Sequence, residues 1–489
     1  MKDLANSING ELVAPVGGAY LDNVEPATGK VYSRVPDSDG RDVERAVEAA
    51  SRAFKGWSKA TAAERSRIML RIADLIEANL EKLARAETID NGKPLWLSRA
   101  VDIPRAIANF RFFATAILHG HSEAHVTDGL ALNYTLRQPV GIAGCISPWN
   151  LPLYLFTWKI CPALAVGCTV VAKPSEVTPM TAYLLSELCI EAGLPPGVLN
   201  IIHGLGSKAG AAIVEHPRIA AISFTGGSVT GASIARTAGP MFKKVSLELG
   251  GKNPNVIFAD ADLDTAIRTS VQSSFANQGQ ICLCGSRVLV ERPVYERVVD
   301  GLVEAAKSMK VGDPLADDTK QGALVSKPHL EKVLGCIELA KSEGGTIHCG
   351  GERPPPPPDP DALPERCRGG FFLRPAVITG LGPDCRTNQE EIFGPVVTVL
   401  PFDGEDEAIE LANSTRYGLS ASVWTGSVDR AHRVAARVDA GTVWVNCWLL
   451  RDLRVPFGGM KSSGVGREGG TNALEFFTEA KNVCVKLND

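Results

Sequence analysis

The sequence predicts an α/β protein built on parallel sheets, and three observations carry that reading. First, Val140–Ile146, Thr169–Ala172, Val198–Ile202 and Ala220–Phe224 are short, nearly unbroken apolar runs. Second, helical stretches separate them, notably Thr178–Ala192, which stops at Gly193 before Pro195-Pro196. Strands apolar on both faces and alternating with helices are what a sheet covered on two sides requires. Third, 489 residues with 45% hydrophobic content are enough for sizeable cores and, at ~150 residues per unit, for about three structural units.

Taken in order, Thr61 to about His119 is helix-rich, with Ile68, Leu70, Ile72, Leu75, Ile76, Leu80 and Leu83 spaced among charged residues. The strand–helix texture starts at Val140 and returns from Asn255 to about Pro456. Arg353–Gly370 interrupts it with the run Pro354–Pro358, which reads as a stiff surface loop rather than a ligand for an SH3-like partner. The tail Phe476–Asp489 alternates Val483, Val485 and Leu487. Such a strand, without an obvious local partner, is expected to complete another subunit's sheet, so a homo-oligomer is expected.

Composition excludes several classes. Lys+Arg 51 nearly balances Asp+Glu 55, for a net charge of −4, so no broad basic surface for nucleic acid is expected. No apolar run reaches the ~20 residues of a membrane helix, and Met1-Lys2-Asp3-Leu4 does not open a signal peptide. A soluble, cytoplasmic chain is the expectation. The twelve cysteines include no CxxC pair and only eight histidines accompany them, so no metal site is expected. Cys145, Cys161, Cys168, Cys189 and Cys336 lie in hydrophobic segments and read as free thiols of a reducing compartment.

Three segments carry candidate chemistry. Asn277-Gln278-Gly279-Gln280 precedes Cys282 in a stretch of otherwise helical texture; polar donors there would favour a thiolate nucleophile, although an intracellular cysteine alone is more often structural. Glu248 sits between Leu247 and Leu249 before Gly250-Gly251, where desolvation would raise its pKa into the range of a general base; the alternative is an edge carboxylate beside a turn. Asn150, in Ser147-Pro148-Trp149-Asn150-Leu151-Pro152, is held between prolines and suits an oxyanion donor or, more plainly, a turn asparagine. Glycines follow strands at Gly204, Gly206 and Gly210 and at Gly226, Gly227 and Gly231, in neither the GxGxxG nor the Walker pattern. They are backbone approaches to a ligand or simple turns. Lys173 and Glu176 end another strand, where ligands of open parallel sheets bind.

Together these segments resemble the aldehyde dehydrogenase superfamily. SPWN followed by Leu-Pro, KPSE, FTGG, LELGGKNP, NQGQIC, EEIFGPV and PFGGMKSSGVGREGG occur in that family's order from about Ile8 to Val485. The resemblance implies a Rossmann-type NAD-binding domain over residues 1–121 and 142–249. It implies an α/β catalytic domain over 250–462 and a small oligomerisation and bridging strand segment over 122–141 and 463–489. It implies Cys282 as nucleophile, Glu248 as general base, Asn150 with the Cys282 N–H as oxyanion hole, and Lys159 and Glu468 as a proton relay. For NAD it implies Ser147, Trp149, Lys173, Ser175, Glu176, Gly204, Gly206, Gly210, Phe224, Gly226, Gly231, Leu249, Glu391 and Phe393. Lys173 and Glu176 would take the adenosine ribose, and Glu176 would repel a 2′-phosphate. Gly227 stands where many members carry serine, so no hydroxyl contact to pyrophosphate is expected there. Glu248 argues against the CoA-acylating branch, and intact Cys282, Glu248 and Asn150 argue against a crystallin-like structural member. A partner-binding scaffold acting through Pro354–Pro358 does not displace the enzyme.

Two arginines narrow the substrate. Arg105 follows Asp102-Ile103-Pro104, and Arg451 precedes Asp452; either aspartate offers a local surface partner. An arginine pair also suits a carboxylated aldehyde, since guanidinium grips carboxylate bidentately. DIPR and NCWLLRDL resemble the branch acting on muconic semialdehydes, and NFRFFA, SSFANQGQICLC and KKVSLELGGKNP resemble its 2-amino more than its 2-hydroxy members. A carboxylated substrate argues against retinal and long aliphatic aldehydes.

Overall fold

The computed structural model describes residues 2–359 and 361–487. Met1, Pro360, Asn488 and Asp489, which fall in the segments expected above for the first unit, the proline loop and the tail, lie outside the described residues.

The four apolar runs become strands β1 (Ile142–Ile146), β2 (Thr169–Lys173), β3 (Leu199–Ile201) and β4 (Ile219–Thr225), joined by β5 (Lys244–Glu248). They pair in parallel in the order β5-β4-β1-β2-β3. Antiparallel edge strands complete eight: Gly464–Val465 on β5, and Asn6–Ile8 with Glu11–Val13 beyond β3. The chain steps from β1 towards β3 and then returns to the other side of β1. A crevice therefore opens at the carboxyl ends of β1 and β4, where connections leave in opposite directions.

Helix Pro152–Val166 enters with Pro at its first turn, ends on Gly167 in the left-handed region, and is buried on every side. Apart from Thr157 and Lys159 it can be apolar on every side because it runs between the sheet and a helical layer. Its Phe156, Trp158 and Ile160 join Met69, Ile72, Phe110 and Phe113 in one core. That layer is the helix-rich region expected from sequence: Ala62–Ala78, Leu80–Asn91 and Ile103–Ala116. The first of these starts from a reciprocal cap, in which Thr61 Oγ1 accepts from Glu64 N at 3.2 Å and Glu64 Oε2 accepts from Thr61 N at 2.7 Å.

The second sheet has seven strands, six of them parallel in the order Ala376–Thr379, Val396–Phe402, Arg287–Glu291, Pro254–Ile257, Ser420–Trp424 and Thr442–Val445. Alternate residues face opposite ways: Val288 and Val290 pack with helices Leu263–Phe275 and Tyr295–Ser308, while Leu289 packs with Glu405–Asn413.

Thr478–Lys486 forms the edge strand of a third, three-stranded sheet. It finds its partner in its own chain, pairing antiparallel with Ala131–Pro139 from Thr478↔Pro139 to Lys486↔Ala131, and Ala124–Thr127 makes the third strand. The partner lies more than three hundred residues upstream, beyond any local reading of the tail. Pro354–Pro358 is part of an irregular surface segment whose ends are tied by Arg353 donating to Gly370 O at 2.9 Å. Among the described residues no helix is long and apolar enough to cross a membrane.

Phe156→Ala removes a ring that is 1% exposed and is expected to cost about 3–5 kcal/mol. Urea denaturation should show the lower midpoint; an unchanged midpoint would mean that this core relaxes around the cavity.

Candidate active site

Cys282 does not lie at the head of a helix, which corrects the helical texture read from its segment. Helix Leu263–Phe275 ends seven residues earlier, and Asn277, Gln278 and Gly279 follow with φ of 52°, 56° and 68°. Three successive left-handed residues cannot continue a right-handed helix. At Gly279 no side chain fits, because a Cβ would stand 2.0 Å from Gly394 O. The polar side chains before the cysteine tie down this turn rather than surround the thiol. Gln278 Nε2 donates to Ala323 O at 2.7 Å, Gln280 Oε1 accepts from Val325 N at 3.1 Å, and Asn277 Nδ2 donates to Asn150 O at 2.9 Å.

Asn150 leaves the end of β1 and meets this turn. Its Nδ2 donates to Gln280 O at 2.9 Å, leaving its second N–H for another acceptor, while its backbone O also accepts from Lys93 Nζ at 3.0 Å. Lys93 is fully buried, 2.9 Å from Asp102 and 3.8 Å from Glu87. Burial pushes both carboxyls up, Glu87 to about 8, against the opposing charge of Lys93. Lys93 and Asn277 are positioning groups that sequence reading missed; Lys93 stands in an ordinary-looking Asn-Gly-Lys-Pro turn.

Two cavities meet at Cys282. One, of about 210 Å³, is the crevice at the strand ends, lined by Trp149, Asn150, Gly226, Glu391 and Phe393 among others. The other, of about 310 Å³, is mostly apolar, with Tyr154, Trp158, Trp448 and Phe457 on its walls and Glu248, Glu468, Arg451, Arg268 and Lys320 as its charged lining. Cys282, Thr225 and Leu249 line both.

The site is crowded with carboxyls. Burial, then the charges of Glu391 and Glu248, push the Cys282 thiol up to about 12, against the opposing pull of Arg451. Glu248, at the end of β5, is buried with neither oxygen hydrogen-bonded among the described residues. Desolvation first, then Glu468, holds it well above the usual carboxylate range, while Lys159, Arg451 and Arg467 pull it down. Lys159 and Glu468 come together as expected, Nζ to Oε1 at 2.9 Å. Ser223 bridges them: its Oγ donates to Glu468 Oε1 at 3.1 Å and accepts from Lys159 Nζ at 3.2 Å. Nothing in the sequence distinguished that serine, which follows from its place on β4.

The residues expected to hold a cofactor divide into two groups. Trp149, Gly226, Leu249, Glu391 and Phe393 line the crevice. Glu391 Oε1 accepts from Gly251 N at 3.0 Å, and burial raises its pKa. A Cβ on Gly226 would lie 2.4 Å from Phe224 Cζ, and one on Gly231 2.5 Å from Leu249 Cδ2. Gly227 precedes helix Ser228–Ala238, whose first turn has no side-chain cap, leaving N–H groups for an anion. The second group lies at the ends of β2 and β3. Lys173 Nζ is spent on Pro174 O, Gly204 O and Glu176 Oε2 at 2.9, 2.8 and 3.0 Å, while the Glu176 side chain stays 30% exposed. Lys173 thus places Glu176 and Gly204, and burial lowers its own pKa. Gly210 packs on it, its Cβ position 3.5 Å from Lys173 Cε. Ser175 Oγ accepts from Val177 N at 3.2 Å, and Ser147 donates its N–H to Lys173 O at 3.1 Å.

Neither arginine takes its neighbouring aspartate. Asp102 is buried on Lys93, and Asp452 pairs with Arg454 at 2.6 Å. Arg451 instead donates to Tyr154 Oη at 2.8 Å and lies 3.9 Å from the Phe457 ring centroid. Arg105 stands 5.6 Å from the Tyr154 ring centroid, outside the cavity lining.

Comparison with known proteins places this geometry. The profile of the Aldehyde dehydrogenase family matches residues 13–483. The chain belongs to the aldehyde dehydrogenase family. Among relatives of this aldehyde dehydrogenase, a 2-aminomuconic semialdehyde dehydrogenase of Danio rerio is 52% identical over 484 residues, covering 99% of this chain and 98% of that protein. A 2-hydroxymuconic semialdehyde dehydrogenase of Pseudomonas sp. (strain CF600) is 48% identical, with 100% of both chains covered. The solved NAD+ complex of an aldehyde dehydrogenase from Bacillus cereus superposes with a TM-score of 0.95 at 44% identity, covering 99% of this chain and 97% of that one.

With its thiol held near 12, the Cys282 thiolate fraction rises about tenfold per pH unit. Iodoacetamide alkylation of Cys282 is expected to accelerate accordingly between about pH 7 and 9, and Arg451→Gln to slow it at each pH by removing a cation that favours thiolate. A flat profile would contradict the burial of the thiol.

Proposed function

We propose that this aldehyde dehydrogenase oxidises a carboxylated semialdehyde, 2-aminomuconic 6-semialdehyde foremost, to its dicarboxylate, with NAD+ as acceptor and water as second substrate. The observation that carries the reading is Cys282 on the shared wall of two cavities, one a strand-end crevice and the other bearing Arg451 without a carboxylate partner among the described residues. The names of the Danio and Pseudomonas relatives support the muconic class.

The crevice has the features a dinucleotide needs: an uncapped helix start beside Gly226, and at the ends of β2 and β3 a part-exposed carboxylate at Glu176 for ribose hydroxyls. Trp149, Glu391, Phe393 and Leu249 would border its nicotinamide end, and Ser147, Ser175, Gly204, Gly206, Gly210, Phe224 and Gly231 would shape its adenosine and pyrophosphate end. NAD+, when bound there, supplies the acceptor for the hydride that leaves the carbon attached to Cys282.

The chain's own residues do the rest. The Cys282 thiolate adds to the aldehyde carbon, and the free N–H of Asn150 with the Cys282 N–H receives the alkoxide. The acyl thioester that follows requires water. Glu248, unbonded and facing the same cavity, takes the proton from that water as it attacks. Glu468 and Lys159, joined through Ser223, lie beside it to carry the proton onward. Arg451 holds the substrate's distal carboxylate, with Arg105 behind it.

The reading extends to a soluble cytoplasmic homo-oligomer, dimer or tetramer, in which 122–141 and 463–489 bridge subunits. Exposed Val126 and Val485 on the three-stranded sheet, with Leu130 in its hairpin turn, support this.

NADH formation with 2-aminomuconic semialdehyde generated in situ, beside the 2-hydroxy compound and a neutral aliphatic aldehyde, tests the substrate. A kcat/KM preference for the muconic pair is expected, and the ratio within the pair assigns the 2-position. Arg451→Ala should raise KM for the semialdehyde on the order of 10- to 100-fold more than for the neutral aldehyde. Equal effects would overturn the carboxylate reading and leave the Cys282 chemistry standing.

A further inference from the structure

Tyr154 is where the two arginines meet. It sits in the first turn of helix Pro152–Val166, 6% exposed, and lines the larger cavity. Asn109 Nδ2 fixes its backbone by donating to Tyr154 O at 3.1 Å. Its phenol oxygen accepts from Arg451 Nη1 at 2.8 Å, and its ring lies under Arg105 at 5.6 Å. Arg451 is further confined between the rings of Phe457 and Trp158, with centroids 3.9 and 5.2 Å from its guanidinium carbon.

A phenol hydroxyl has one hydrogen to donate. Among the described residues that hydrogen has no acceptor, since the only bond of Tyr154 Oη is the one it accepts from Arg451. Because a cation occupies the acceptor side of the oxygen, the O–H turns away from it. The group that completes both valences is an anion held by Arg451, which takes guanidinium N–H and phenol O–H together.

We propose that Tyr154 is a specificity-determining residue that binds the substrate's carboxylate alongside Arg451, donating its O–H to the anion while its oxygen fixes the guanidinium. The proposal rests on the carboxylated-aldehyde reading. A neutral aldehyde offers no acceptor at that place, so the hydroxyl acts on charged substrates selectively. No residue spacing pointed to it, because a tyrosine in the apolar first turn of a mostly apolar helix reads as core.

Tyr154→Phe keeps the ring beneath Arg105 and deletes only the hydroxyl. KM for the muconic semialdehyde is expected to rise about tenfold more than KM for propanal, with calorimetric binding of muconate, a dicarboxylate lacking the aldehyde, weakened by a similar factor. In an Arg451→Gln background the same change should have a smaller effect, because the two groups share one anion. If Arg451→Gln discriminates against the charged substrate and Tyr154→Phe does not, the tyrosine proposal falls and the carboxylate reading stands. If Tyr154→Phe raises both KM values equally, the hydroxyl acts through cavity shape and the proposal falls. If neither variant separates charged from neutral aldehydes, the carboxylate reading itself is lost.

Discussion

The site depends on how the turn before Cys282 is fastened to Asn150. The asparagine's backbone carbonyl receives Lys93 from the helical layer of the first sheet and Asn277 from the turn that follows the second sheet's helix, and its own amide returns to Gln280 O. These bonds join parts of the chain 57 to 130 residues apart. In a buried setting each unmade bond costs the desolvation of its polar group, so the arrangement has few alternatives. Cys282 and Asn150 are set against each other by contacts that join elements of the two sheets.

Charge around the thiol is arranged in opposition. Glu248 and Glu391 disfavour the thiolate while Arg451 favours it. A resting cysteine kept protonated is guarded against adventitious oxidation and alkylation. Glu248 is held above the carboxylate range by the same desolvation, which makes it a stronger base once ionised. Lys159, beneath Glu468, supplies the counter-charge that makes a pair of buried glutamates tolerable.

The substrate side follows a second rule. Arginines beside aspartates in sequence ordinarily pair with them, yet Asp102 is claimed by Lys93 and Asp452 by Arg454. Each aspartate meets another cation, and Arg451 is left to line a mostly apolar cavity. Aromatic faces and one phenol hold it there. Among the described residues Arg451 has no carboxylate bonded to it, and a guanidinium so placed suits an anionic partner that arrives from outside.

By itself the sequence determined the parallel-sheet class, because unbroken apolar runs between helices have few other solutions. It also determined the family, because seven separated motifs in one order fix the chemistry-bearing positions. Lys159 beside Glu468 and Glu391 in the crevice were legible that way, though no local pattern marks them. Tertiary structure alone decided the rest. Ser223 between Lys159 and Glu468, Lys93 under Asn150 and Tyr154 between the arginines each depend on side chains converging from distant elements. Periodicity reports which face of an element is apolar; it does not report which polar group stands opposite a buried charge. That pairing is set by how helices and sheets cross.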